Sequence, residues 1–388
     1  MKVNDVIIIG GGAAGMMASG IAAKKGADVV LLEKNPVLGK KLLITGKGRC
    51  NLTNYCEVDE TIANTPKNGK FLTNSLYQFD NHSTIRFFNS LGLETIVERG
   101  NRVFPRSGKS KDVIKTLINF ISKNKVKVIH KAALDLMKFG DIFAVKLVNE
   151  DIIRGKNVII TTGGKSYPKT GSTGDGYKYA GKMGHKITNF TPSLVPINAK
   201  KIEKLDNNNS AGCDLRQLKG LKLKNVAIKL KDRSGKTIYE DFGEMIFKNY
   251  GVDGPIILSA SSHIRKIDNH KLIIDLKPAL NKDQLDSRLQ RDFKNYANKH
   301  FKNVLKNLLP AKIIPVIIKI SGIPSSKPVN QITREERKNL ILALSKLTIP
   351  LIKFRPITEG IITSGGVDVT QIDPKTMESK IVPGLFFA

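Results

Sequence analysis

The chain of 388 residues has no tryptophan, 6% aromatic residues, three cysteines and six histidines. Three cysteines (Cys50, Cys56 and Cys213) do not make a disulfide framework, and the odd count points to a reducing compartment. Neither they nor the histidines fall at zinc-ligand spacing, so no metal site is expected. With 8 tyrosines and no tryptophan, a general stacking platform for single strands is not indicated. No stretch is long and apolar enough to cross a bilayer. The apolar run near the start is preceded by Asp5 and broken by Gly10, Gly11, Gly12 and Gly15, unlike a signal peptide. A cytoplasmic protein is therefore expected. There is no Gly-x-Ser-x-Gly elbow and no P-loop.

Acidic residues are also scarce. Lys+Arg number 64 against 34 Asp+Glu, a net charge of +30. The excess is dense from Lys200 to Glu240 and again from His263 to Asn330. Two readings stay open: a solvated surface in a chain that uses Lys and Asn freely, or a polyanionic partner, RNA foremost.

What is present is clearest in the first forty residues. "NDVIIIGGGAAGMMASGIAAKKGADVVLLEKN" reads as strand, glycine turn, helix, strand. Val6 to Ile9 form the β-branched run of a buried parallel strand. Gly10, Gly12 and Gly15 make G-x-G-x-x-G: a tight turn, an approach for a pyrophosphate, and close helix–strand packing. Met16 to Lys25 is expected to be helical, with Ala14, Met17, Ala18, Ile21 and Ala22 toward the sheet. Glu33 ends the second strand, where a carboxylate accepts both ribose hydroxyls of a dinucleotide. No second such unit occurs, so no dedicated NAD(P)H domain is expected.

Later segments carry a resemblance. "GKKLLITGKGRCNLTN" (39–54), "GNRVFPRSGKSKDVI" (100–114), "TTGGKSYPKTGSTGDGYKYAGKMGH" (161–185), "PSLVPI" (192–197) and "ITSGGVDVTQIDPKTMESKIVPGLFFA" (362–388) resemble the BaiN/RdsA family of FAD-dependent oxidoreductases. That family is also known as YhiN-like or as the aminoacetone oxidase family. The resemblance implies an α/β fold: a two-part Rossmann-like FAD-binding domain (1–190 and 357–388), an inserted β-rich substrate domain (191–275) and a helical part of the insertion (276–356). It implies FAD as cofactor, with NAD(P)H as a transient electron donor. The family's activities include reduction of a ribosomal RNA uridine to dihydrouridine, oxidation of a small aminoketone, and reduction of a steroid double bond.

On this reading the cofactor surface comprises Gly10, Gly12, Ala13, Ala14, Gly15, Glu33, Lys34, Lys41, Gly46, Gly48, Arg49, Cys50, Asn51, Ala133, Thr162, Gly163, Gly164 and Ala388. Arg102 and Arg106, in a basic loop, are candidate substrate contacts. Cys50 is the candidate proton donor. A Cys50–Cys56 redox pair is not expected, because disulfide-reductase flavoproteins space the two as Cys-x₄-Cys and add an NADPH domain.

The leading function is reduction of a uracil C=C bond in ribosomal RNA, with the basic insertion gripping the RNA backbone. The alternatives are an oxidase of a small amine such as aminoacetone, and a degenerate RNA-associated protein. Two departures from the family bear on these. Lys248, Asn249 and Asp253 stand where relatives carry Thr, His and Ser. Relatives also continue past the position of Ala388 with a cofactor-contacting segment, which underlies the degenerate reading.

Local expectations complete the picture. Residues 66–92 and the stretch from Lys282 to Leu309 should be helical, the latter with a stripe from Leu285 to Leu308. Thr173 or Asp175 should cap the helix that follows Gly176. His185 should serve as a helix-end contact.

Overall fold

The computed structural model describes residues 2–204 and 212–388. The chain divides into two compact units, Met1–Phe190 with Thr363–Ala388, and Thr191–Ile362.

The first unit is built on β1 (Val3–Ile9), whose Ile7 and Ile8 are fully buried. Each such side chain contributes about 1.5–3 kcal/mol when removed from water. β1 pairs in parallel with β2 (Val29–Leu32) through α1 (Ala13–Lys24), and β2 pairs with β3 (Lys127–Ile129), which follows α2 (Ser110–Lys123). A hairpin of β4 (Ala133–Phe139) and β5 (Ile142–Leu147) leads antiparallel into β6 (Ile152–Ile160), and β6 lies parallel to β1 on its other side. The strand order is β3-β2-β1-β6-β5-β4. The C-terminal strand, Leu385–Phe387, adds in parallel to the second half of β6. This is a Rossmann-type α/β sheet, as read from the sequence.

The buried face of α1 differs from expectation. It runs through Gly15, Met16, Ser19 and Gly20. Two glycines explain this. A Cβ at Gly15 would lie 1.8 Å from the Gly10 carbonyl oxygen, and one at Gly20 would lie 2.2 Å from the Phe120 ring. The helix sits so close to the turn and to α2 that its smallest residues face inward, while Ala18, Ile21 and Ala22 pack at the margin.

The 66–92 stretch is broken. Helices Thr73–Gln78 and Asn81–Ser90 are separated at Phe79–Asp80, where the Asp80 carboxylate accepts from the Ser83 N–H (2.5 Å). An N-cap starts a new helix rather than continuing the old one.

In the second unit a seven-stranded antiparallel sheet is centred on β7 (Lys222–Lys231), β8 (Thr237–Lys248) and β9 (Lys271–Asp275). Helices α3 (Lys282–Asn295) and α4 (Arg334–Ser345) start with capping boxes, Asn281/Gln284 and Thr333/Glu336. Strand residues such as Leu230 and Phe247 share one core with Leu289, Phe301 and Leu344 of the helical part. α3 stops at Asn295, short of the long helix expected. The following groups bond to another segment instead: Phe301 N–H to Lys327 O (2.9 Å), Val329 N–H to Lys299 O (3.1 Å) and Asn330 N–H to Ala297 O (3.2 Å). The buried stripe persists in Leu285, Leu289, Phe293, Phe301 and Leu305, carried across two helical pieces.

Candidate functional site: a glycine-turn cavity in the first unit

At the end of β1, Gly10 adopts φ +114°, and a Cβ there would stand 2.6 Å from the Thr161 carbonyl oxygen. A side chain fits neither the space nor the dihedral. The Thr161 hydroxyl is shared by the Ile9 (3.0 Å) and Gly10 (2.8 Å) carbonyls and ties β6 to the turn. No side chain caps α1, and a Cβ at Gly12 would meet nothing within 4 Å. The N–H groups of the first helical turn thus face open space, with the positive end of the helix dipole behind them.

That space is a cavity of about 270 Å³, bounded by residues 10–14, 33–35, 40–42, Thr45, Lys131, Ala133, 161–163, 170–172, Asp175, Tyr179 and Ala388. Glu33 is 8% exposed. Its carboxylate accepts from the Gly11 N–H (2.7 Å), the Asn35 N–H (2.7 Å) and the Asn35 side-chain amide (2.6 Å). A carboxylate has about four acceptor positions, so about one remains for a ligand hydroxyl. The sequence reading gave it two.

Three side chains fasten the segment 166–175 beside the cavity. Lys34 bonds to Asp175 (2.6 Å) and Thr173 (2.5 Å), Asn35 to the Thr170 carbonyl (3.3 Å), and Lys41 to the Ser166 hydroxyl (2.9 Å) and carbonyl (3.2 Å). Burial holds the Lys41 ammonium below the usual lysine range. Thr173 and Asp175 are engaged with Lys34, and neither caps the helix Asp175–Lys182. Its N-cap is Gly174, and the Thr162 hydroxyl accepts from the Gly176 N–H (3.1 Å) in their place. Tyr179, one turn after Asp175, donates to the Ala133 carbonyl (2.7 Å). Burial, then the carboxylates of Asp175 and Asp135, push its pKa up to about 12, so it stays a donor.

The fold therefore gathers Gly10, Gly12, Ala13, Ala14, Glu33, Lys34, Lys41, Ala133, Thr162, Gly163 and Ala388 around one cavity. Gly15 supports the turn from behind. A Cβ at Gly164 would meet the Thr363 hydroxyl at 2.5 Å, a packing constraint off the cavity. Sequence reasoning missed Gly11, Asn35, Lys131, Thr161, Ser172, Asp175 and Tyr179. The four-residue spacing of Asp175 and Tyr179 marks one helix face, but only the fold aims that face at β4.

The loop 46–51 reaches the cavity only through its neighbour Thr45. Gly46, Lys47 and Gly48 are all left-handed (φ 55°, 58° and 85°). Arg49 pairs with Glu98 and lies over the Phe104 ring (4.3 Å). Asn51, in the amide orientation that satisfies its neighbours, donates to the Thr53 (2.9 Å) and Val103 (3.1 Å) carbonyls. Arg102 is exposed and bonds the Arg99 carbonyl (3.1 Å); Arg106 pairs with Glu94 at the surface (3.0 Å). His185, buried, sits between the Ala180 carbonyl (3.2 Å) and the Ser379 hydroxyl (2.8 Å), a structural contact.

Cys50 is 2% exposed and packs in the cluster of Ile8, Met16, Leu38 and Val113. Burial pushes its thiol up, partly offset by a hydrogen bond with Thr45. A protonated thiol enclosed by aliphatic side chains and off the cavity wall fits packing better than proton donation. Cys50→Ala is expected to cost about 1 kcal/mol of stability, with turnover per bound flavin unchanged. Denaturant midpoints and flavin-normalised rates check this; a rate loss without a midpoint shift would restore Cys50 to the chemistry.

Residues 4–388 match the family described as HI0933-like protein Rossmann domain. This chain belongs to that family. It is a FAD-dependent oxidoreductase. The HI0933-like chain is 29% identical over 390 residues to a 3-dehydro-bile acid delta(4,6)-reductase of Clostridium scindens, covering 99% of this chain and 91% of that protein. It is 27% identical over 396 residues to a ribosomal RNA dihydrouridine synthase of Haemophilus influenzae, covering 100% and 91%. Among solved structures it is similar to the open conformation of a flavocytochrome c3 fumarate reductase, with TM-score 0.46 and 17% identity over 100% of this chain and 72% of that one. The residues present fit FAD. The open space at Gly12, the uncapped helix and the nearby lysines suit a pyrophosphate, and Glu33 suits a ribose hydroxyl. Among the described residues no helix is long and apolar enough to cross a membrane.

Proposed function

We propose that the HI0933-like chain reduces the C=C bond of a uracil base in ribosomal RNA, forming dihydrouridine. The observation that carries this reading is full-length similarity to a ribosomal RNA dihydrouridine synthase in a chain of net charge +30. A polyanionic substrate gives the excess charge a use, through phosphate contacts and counterion release.

Bound FAD, once reduced, supplies a hydride to one carbon of the double bond. The other carbon takes a proton, so two electrons and two hydrogens are added in all. NAD(P)H is the proposed transient source of the electron pair. The chain's own residues hold and orient. In this reading the backbone of Gly10–Ala14 and the start of α1 take the pyrophosphate. Glu33 takes a ribose hydroxyl, and Ala133, with its carbonyl fixed by Tyr179, borders the adenosine end. Lys41 adds positive charge to the wall near Thr45 and Gly163. Cys50 is not assigned the proton.

The test uses purified holoprotein with NADPH and large-subunit ribosomal RNA from a strain lacking the gene. Dihydrouridine formation is expected. Peroxide from aminoacetone, with no base reduction, would favour the oxidase reading.

A further inference from the structure

The cationic residues of the second unit are not equivalent. On and beside its sheet, some cations are answered: Lys229 pairs with Glu240 (3.0 Å), Lys271 with Glu203 (3.0 Å) and Arg233 with Asp268 (3.4 Å). Such pairs have little field left for a partner. The segment after α3 is different. From Phe293 to Arg334 the sequence contains no Asp or Glu, while lysine recurs throughout.

Within that stretch, residues 301–307 form two successive helical turns. Phe301, Val304 and Leu305 are buried, so the outer face carries Lys302, Asn303, Lys306 and Asn307. Lys302 and Lys306 are four residues apart, which brings them onto one side with about 5–6 Å between Cβ atoms. Lys299, in the turn just before, is exposed and stands over the Tyr296 ring (4.8 Å). Among the described residues none of these three lysines forms an ion pair; the nearest pairs along the chain are Arg288–Asp292 and Lys327–Glu336. The turn is held by its bonds to residues 325–330, so the lysines project from fixed backbone.

We infer that the face bearing Lys299, Lys302 and Lys306, with Asn303 and Asn307, is the surface that grips the RNA phosphate backbone. The inference rests on the proposed RNA substrate and names where the second unit would hold it. Unpaired ammonium groups interleaved with amides suit phosphate and sugar oxygens, the contacts that position RNA without reading its sequence. A protein partner would need exposed aromatic or aliphatic anchors. Among the described residues none of the large exposed hydrophobics falls between residues 243 and 351. With Tyr296 half-buried beneath Lys299, base stacking is not the mode of contact.

The experiment measures binding of an in vitro transcribed large-subunit ribosomal RNA fragment across a salt series. Three full-length holoproteins are compared: wild type, K299Q/K302Q/K306Q, and K229Q/R233Q/K271Q. Each phosphate contact adds about 0.7–0.9 to the slope of log K against log salt, so losing three lowers it by about 2–3. That drop is expected for the first triple variant, with unchanged visible flavin absorbance and melting temperature. The second triple variant should keep the wild-type slope. A wild-type slope in the first variant, or an equal drop in both, overturns this surface while leaving the RNA substrate standing. Absence of salt-dependent binding by the wild type overturns both.

Discussion

Gly15→Ala is expected to give a protein that purifies with almost no flavin and melts at lower temperature. The added methyl would start 1.8 Å from the Gly10 carbonyl oxygen and 2.7 Å from the Thr161 hydroxyl. Both atoms belong to the knot joining β1, α1 and β6. Backbone on one side and a clamped hydroxyl on the other leave no flexible group to give way, so α1 must lift from the sheet. Overpacking of this kind costs about 1–3 kcal/mol, and sometimes more. Lifting α1 also withdraws its first N–H groups from the cavity. Gly12→Ala separates the two consequences. Its methyl meets nothing within 4 Å, so stability should change by less than about 0.5 kcal/mol while flavin affinity falls. Flavin-to-protein absorbance ratios and thermal melts of the two variants decide the matter. Equal melting losses would sink the distinction between supporting glycine and ligand-facing glycine.

Glu33→Ala is expected to be as damaging to the cofactor, by a different route. The carboxylate holds three donors, from Gly11 and from both amide groups of Asn35. Removing it strands those donors in a largely buried place and frees Asn35, one of the fasteners of the 166–175 segment. Hydrogen bonds to a charged group contribute about 1.5–3 kcal/mol each. Loss of even one, together with the ribose contact, weakens FAD binding by about 10- to 100-fold, since each 1.4 kcal/mol is tenfold. Glu33→Gln should be nearly as poor, because its NH₂ group would face a donor. Flavin fluorescence titration of the apoprotein gives the affinity. An unchanged dissociation constant for both variants would remove Glu33 from the site.

The legible part of the site followed from backbone rules. A glycine that needs φ +114°, another that abuts a carbonyl, and an acid at the end of the second strand are set by local sterics and by spacing along one βαβ unit. Those constraints act within thirty or so residues and leave a mark in the sequence. The 46–51 loop shows where that logic ends. Its glycines have positive φ as expected of a cradle, yet the side chains of Arg49, Cys50 and Asn51 go to Glu98, the core and the Val103 carbonyl. Which neighbour a loop side chain finds depends on strands fifty residues away. The same holds for α1, whose inward face was chosen by closeness to Phe120 rather than by its most hydrophobic positions. It holds too for the helix at Asp175, whose Gly176 N–H is met by the Thr162 hydroxyl just past the end of β6.

By itself the sequence determined the parallel βαβ start, the glycine turn and the large positive charge. These depend on residue type and short spacing alone. Only the tertiary structure decided that Glu33 has about one free acceptor position, that Lys34, Asn35 and Lys41 fasten the 166–175 segment, and that Cys50 is packed away. It alone decided which lysines remain without a carboxylate. The reason is the same in each case. Hydrogen-bond partners, burial and ion pairs are properties of residues brought together across the chain, and no local pattern encodes them.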